Sequence, residues 1–147
     1  MISKSKRVLC ATDGSHSADK AVEYAIDAAK TYGCGVVFAT VNTVSEAEMA
    51  SEPRAWDSEI ATAADRQVHQ PLETASAKAK QAGLSDVQYV VLHGRDIAGN
   101  IVKYAADHGC DHIVVGSRGR TGLTRVLLGS IAEQVVREAA CPVTVVR

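Results

Sequence analysis

The 147-residue chain is 46% hydrophobic and 22% charged, with a formal net charge of -1, which suits a single domain over residues 1–147 with a substantial core. The near-neutral balance and the 4% aromatic content lack the basic footprint and stacking surface of a nucleic-acid binder. No apolar run approaches the roughly 18 residues of a membrane span, and Asp13 interrupts the apolar stretch behind the basic Met1–Arg7 segment, so no signal peptide is expected. Cys10, Cys34, Cys110 and Cys141 are scattered and form no C-x-x-C pair. Reduced thiols in a cytoplasmic protein are the expectation.

Short β-branched runs alternate with longer helical patterns. Residues 7–12 read as a first strand that ends at Asp13-Gly14-Ser15. Ala18, Ala21, Val22, Ala25, Ala29 and Tyr32 then recur at helical spacing. Val36 to Val41 is a second strand, followed over 42–56 by a polar connection with Pro53 and Trp56, read as mobile. Ile60, Ala64, Val68, Leu72, Ala75, Ala79 and Ala82 mark a second helix. Pro71 inside it should kink the helix or begin a new segment, because it lacks an N–H and crowds the preceding turn. Val87–Leu92, a helix from Ile97 to His108, His112–Val115, a helix from Ser130, and Val143–Val146 complete the series. Gly33, Gly83 and Gly109 each stand where a helix gives way to a strand. Alternation of this kind predicts a parallel sheet with helices on both faces.

In such sheets ligands bind beyond the carboxyl ends of strands where the strand order reverses. Two segments carry the chemistry expected there. Gly116-Ser117-Arg118-Gly119 follows strand four, and Gly129-Ser130 follows nine residues later at a helix start. Glycine-rich backbone and a helix N-terminus expose N–H groups to phosphate. Arg118, Arg120 and Arg125 add positive charge with no acid between them. The competing explanation is a plain capping box, Ser130-Ile131-Ala132-Glu133. The spacing matches neither a Walker A loop nor a Rossmann fingerprint. Asp13 is either an acceptor for ribose hydroxyls and base amino groups or a turn residue, with Ser15 or Ser17 capping the next helix. His108, Cys110 and His112 straddle a helix end, a turn and a strand start, so their side chains should diverge rather than hold a metal. No nucleophile–base pair and no G-x-S-x-G elbow occurs. Binding is better supported than catalysis.

From Arg7 to Arg147 the chain resembles the universal stress protein family. The resemblance rests on Thr12-Asp13-Gly14-Ser15, Val41, Gly94, the spacing Gly116-x2-Gly119-x9-Gly129-Ser130, and the closing Cys141-Pro142-Val143-Thr144-Val145-Val146. Within that family the glycine spacing marks the ATP-binding branch. The resemblance implies a three-layer α/β/α sandwich of the adenine nucleotide alpha hydrolase-like kind, with five parallel strands in the order 3-2-1-4-5. It implies a homodimer in which Val143, Thr144, Val145 and Val146 meet their copies antiparallel. It implies that Ala11, Thr12, Asp13 and Val41 hold adenine and ribose. Gly116, Arg118, Gly119, Gly129, Ser130 and Ile131 would hold ribose and phosphates, with Mg2+ bridging the phosphates of ATP. The function implied is a stress-response or signalling module that hydrolyses ATP slowly or not at all.

The alternative is a nucleotide-dependent enzyme of the same fold group, an adenylylating synthetase or a flavoprotein-like domain. The synthetases carry Ser-Gly-Gly-x-Asp-Ser after strand one, where this chain has Asp13-Gly14-Ser15-His16-Ser17. A phospho-receiver of similar architecture would need an acidic pair after strand one and an Asp after strand three. Leu92-His93-Gly94-Arg95 offers neither.

Overall fold

The buried positions of the first two strands are apolar except Thr40, which suits burial on both faces. The computed structural model describes residues 6–43, 58–118 and 128–147, with 58–67 as backbone alone. Its elements are β1 (Arg7–Ala11), α1 (His16–Tyr32), β2 (Gly35–Asn42), α2 (Ser58–Gln81), β3 (Val87–His93), α3 (Ile97–Asp107), β4 (His112–Gly116), α4 (Ser130–Glu138) and β5 (Val143–Val146). All pair in parallel, in the order β3-β2-β1-β4-β5. The fold is the expected α/β sandwich, and the strand order is the one the resemblance implied.

Strand periodicity of two sorts the side chains into two cores. Val8, Cys10, Val36, Phe38 and Val114 face α1 and α2, where Ala21, Val22, Ala25, Leu72, Ala75 and Ala79 meet them. Leu9, Val37, Ala39, Ile113 and Val115 face α3 and α4, against Ala98, Ile101, Ala105, Ala132 and Val135. Alanine dominates the helical side of both contacts and lets the helices seat closely on the sheet. Each fully buried Val, Leu, Ile or Phe contributes roughly 1.5–3 kcal/mol by leaving water. Phe38 is fully buried and also stacks on Tyr89 of the edge strand, centroids 6.0 Å apart.

Three helix-to-strand joints share one geometry. Gly33, Gly83 and Gly109 have φ of 64°, 79° and 66°. Behind each, an amide reaches back five residues: Cys34 to the Ala29 carbonyl, Leu84 to Ala79 and Cys110 to Ala105. This is the Schellman closure that the glycine positions foretold.

Of the two outcomes expected at Pro71, a new segment is excluded. One helix runs from Ser58 to Gln81 with Pro71 inside it, and no second segment begins there. The proline is buried, and its ring lies beneath Gly14, where a Cβ would come within 3.3 Å of Cγ. Tertiary packing offsets the missing N–H. Residues 44–56 of the polar connection, with Pro53 and Trp56, lie outside the described residues.

The edge strand β5 is tied to β4 by a side-chain bond between His112 Nε2 and Thr144 Oγ1, 2.7 Å apart. Burial pushes the His112 pKa below its ordinary 6.5, and the charge of Asp111 opposes that only in part. Below 6.5 the unfolded chain therefore binds a proton that the folded chain resists. The stability from neutral His112 is present above that pH and is lost as pH falls. Melting curves from about pH 8 to about pH 5 should show an acid-side loss that is shallower in His112→Gln. An identical acid limb in both proteins would rule out this linkage.

Candidate functional site

β1 lies between β2 and β4. The helix after β1 packs on one face of the sheet and the helix after β4 on the other. The chain therefore diverges beyond the carboxyl ends of these two neighbours and leaves a crevice there. The buried polar residues among those described, Thr12, Thr40 and Ser117, all belong to this end of the sheet. None of their side-chain atoms lacks a hydrogen-bond partner.

The β1 side is built as a sequence of short turns. The Thr12 amide donates to the Ala39 carbonyl at 2.8 Å, which prolongs the ladder past the last strand residue. The Gly14 amide donates to Thr12 Oγ1 at 3.3 Å, and the Ser15 amide to Asp13 Oδ1 at 2.9 Å. Ser15 Oγ then accepts from the Ala18 amide and caps α1. Of the two serines considered for that role, Ser15 fills it. Asp13 is thus a turn residue, as one of its two readings had it.

The β4 side is held by Ser117. Its amide donates to the Val146 carbonyl at 2.8 Å, and its own carbonyl accepts from the Gly129 amide at 2.6 Å. The second bond brings the two ends of the 117–129 loop together. Ser17, in the first turn of α1, joins the same knot. Its hydroxyl donates to the Val146 carbonyl at 3.4 Å and accepts from the Arg118 amide at 3.3 Å. Gly116 permits this approach: a Cβ there would sit 2.6 Å from Ser17 Oγ and 2.8 Å from the Ser17 backbone carbon and oxygen. A Cβ on Gly129 would lie 2.9 Å from the Ser117 carbonyl oxygen. Both glycines therefore have a packing reason that the sequence reading assigned to a ligand.

α4 begins differently from the capping-box alternative. The N-cap is Gly129, which has no side-chain cap bond, and Ser130 is already helical. The Glu133 amide bonds the Gly129 carbonyl. Gly129 has no side chain to offer the first-turn amides of α4, and the helix dipole there favours an anion.

The structure thus gathers Thr12, Asp13, Gly116, Arg118, Gly129 and Ser130 at one end of β1 and β4. Ala11 and Val41 are half-buried beside them against the α3/α4 core. Ile131 is exposed on the first turn of α4. Gly119, Arg120 and Arg125 lie outside the described residues. Ser17 and Ser117 were not foreseen as organisers of the site. Both are ordinary serines in sequence, and only the register of β4 with β5 reveals what they bridge. Elsewhere, His108 stacks on Tyr104 with centroids 3.8 Å apart, and His112 turns to Thr144. Among the described residues no group of three His, Cys, Asp or Glu side chains could hold a metal.

Comparison with known proteins gives a consistent picture. A family model described as the universal stress protein family matches residues 4–147. A universal stress protein of Methanocaldococcus jannaschii is 33% identical over 142 residues, covering 97% of this chain and 82% of its own. The universal stress protein YxiE of Bacillus subtilis is 31% identical over 147 residues, covering 96% and 98%. A solved structure of a universal stress protein in complex with cAMP superposes with a TM-score of 0.70 at 25% identity, over 99% of this chain and 98% of that one.

The contact at Gly116 is testable apart from any ligand. Gly116→Ala should destabilise the fold by about 1–3 kcal/mol in urea unfolding, the usual range for forced overpacking. Adding Ser17→Gly should recover only part, because the Ser17 carbonyl carbon and oxygen remain 2.8 Å away. Unchanged stability in Gly116→Ala would overturn the packing role.

Proposed function

This chain belongs to the universal stress protein family, and from that premise we propose that it is an ATP-binding, dimeric stress-response or signalling module. The observation that carries the proposal is the start of α4, where Gly129 offers no side-chain cap and is held on Ser117 beyond the carboxyl end of β4, the strand beside β1 with its Asp13 turn. A relative of the same fold binds cAMP, which supports an adenine nucleotide as the ligand class.

In this reading Ala11, Thr12, Asp13 and Val41 take the adenine and ribose. Asp13 accepts from ribose hydroxyls with its carboxylate, already oriented by the Ser15 amide. Gly116, Arg118, Gly119, Gly129, Ser130 and Ile131 receive the phosphates. The α4 amides supply donors, Ser130 a hydroxyl and Arg118 a charge. Mg2+ would bridge phosphate oxygens rather than sit in a protein cage. No general base is assigned near the γ-phosphate, so turnover is slow or absent. This makes the protein a holder of nucleotide whose occupancy is the signal. We place it in the cytoplasm, where scattered free cysteines stay reduced.

The dimer is proposed to form along β5. The amide of Ile113 donates to Pro142 and that of Ser117 to Val146. In a parallel ladder, alternate residues face the neighbour. Pro142, Thr144 and Val146 therefore turn their backbone toward β4. Val143 and Val145 turn theirs outward, at an apolar edge that pairing with a second copy would cover.

Two measurements bear on this reading. ATP should raise the melting temperature, and Ser130→Ala should weaken binding by about 1.5–3 kcal/mol if the hydroxyl bonds a charged phosphate. No shift with ATP, or a shift with cAMP alone, would reassign the ligand. Val145→Pro removes an outward N–H and leaves the β4 ladder whole, as prolines on sheet edges do. It should convert the dimer to a folded monomer in sedimentation velocity. A wild-type dimer in that variant would exclude the β5 interface.

A further inference from the structure

Three of the helix-to-strand joints carry a cysteine just before the strand: Cys34 before β2, Cys110 before β4 and Cys141 before β5. All lie at the amino end of the sheet, opposite the candidate nucleotide site. They do not share a face. Cys34 packs against the α1/α2 core, whereas Cys110 and Cys141 both belong to the α3/α4 core. β4 and β5 are adjacent, with Ile113 opposite Val143, and the Ile113 amide bonds the Pro142 carbonyl at 3.0 Å. Cys110 belongs to the turn that closes α3, two residues before β4, and Cys141 stands two residues before β5. The two thiols thus pack on one core at the starts of neighbouring strands, which lie about 4.8 Å apart. A disulfide spans Cα atoms about 4.4–6.8 Å apart, a separation of the same order. The Cys110 thiol also senses the charge of Cys141, in keeping with their proximity.

We propose that Cys110 and Cys141 form a reversible intramolecular disulfide, a redox modification site on the face of the sheet away from Cys34. The oxidant is a small hydroperoxide. Cys141 is half-exposed and Cys110 is buried, so Cys141 meets the oxidant first. Its thiolate sulfur attacks the peroxide oxygen, the O–O bond breaks, and one water leaves after protonation, with Cys141 as the sulfenic acid. The Cys110 sulfur then attacks the Cys141 sulfur and displaces the second water. In sum, two thiols and one hydrogen peroxide give a disulfide and two waters. Cys110 and Cys141 lose two electrons, and both peroxide oxygens are reduced. The bond closes a ring over residues 110–141, which contains β4, the glycine-bearing loop and α4. It staples the edge strand to β4 at the end where His112 and Thr144 already tie it.

Burial raises the pKa of both thiols. The thiolate fraction at neutral pH is therefore small, and the reaction should quicken about tenfold per pH unit above neutrality until the thiol titrates. That sets the site apart from a fast peroxide sensor. It responds to sustained oxidation.

The test uses the full-length wild-type chain. It is treated with hydrogen peroxide, the remaining thiols are alkylated, and trypsin digestion is followed by mass spectrometry without reductant. The expected product is residues 104–118 linked to residues 138–147, abolished by dithiothreitol. Cys34→Ser should leave it unchanged, and Cys141→Ser should remove it. The oxidised protein should melt at a higher temperature than the reduced one. A link involving Cys34, a link between two chains, or sulfinic acid at Cys141 without any cross-link would overturn the proposal. Because the digest reads wild-type protein, the result does not depend on whether a variant folds.

Discussion

Ser117 is the residue on which the site depends. It is buried, donates through its amide to the end of β5, and accepts through its carbonyl from Gly129. These two bonds fix where the loop after β4 departs and where it returns. Ser17 reinforces the arrangement from α1 by bonding both Val146 and Arg118. Three elements distant in sequence thus meet at one knot of backbone. There is room for that knot only because positions 116 and 129 lack a Cβ. Gly116 and Gly129, which read as part of a phosphate motif, are also a steric requirement of the fold. In the proposed role, the same contact holds the helix start in place for an anion.

The sheet separates its functions by end. At the carboxyl ends stand the buried polar residues, the Asp13 turn and the Gly129 start of α4. At the amino ends stand Schellman closures and three cysteines among apolar neighbours. Between them, two cores of small helical residues against branched strand residues hold the layers together. This division follows from parallel pairing. Every strand starts at one end and finishes at the other, so every strand-to-helix loop collects on one side.

Affinity in a site of this kind comes from pre-positioned backbone donors rather than from a cluster of charged side chains. Such donors cost little reorganisation when an anion arrives, because Ser117 and Gly129 are already hydrogen-bonded to each other. In the proposed role, such donors would retain a nucleotide without supplying a proton acceptor for its hydrolysis.

The sequence by itself determined the order and kind of the elements, the parallel sheet, the helix-ending glycines and the neighbourhood of Asp13 and Gly116. Those features are local, or follow from the period of hydrophobic residues, and a single chain displays them directly. It did not determine that Pro71 stays within one helix, because that outcome rests on packing beneath Gly14. Nor did it decide between a capping box at Ser130 and a cap at Gly129. That choice depends on the Gly129 amide meeting the Ser117 carbonyl across eleven intervening residues. The parts of Ser17 and Ser117, and the shared face of Cys110 and Cys141, likewise arise from the register of β5 against β4. Register is a relation between distant segments, and only the tertiary structure sets it.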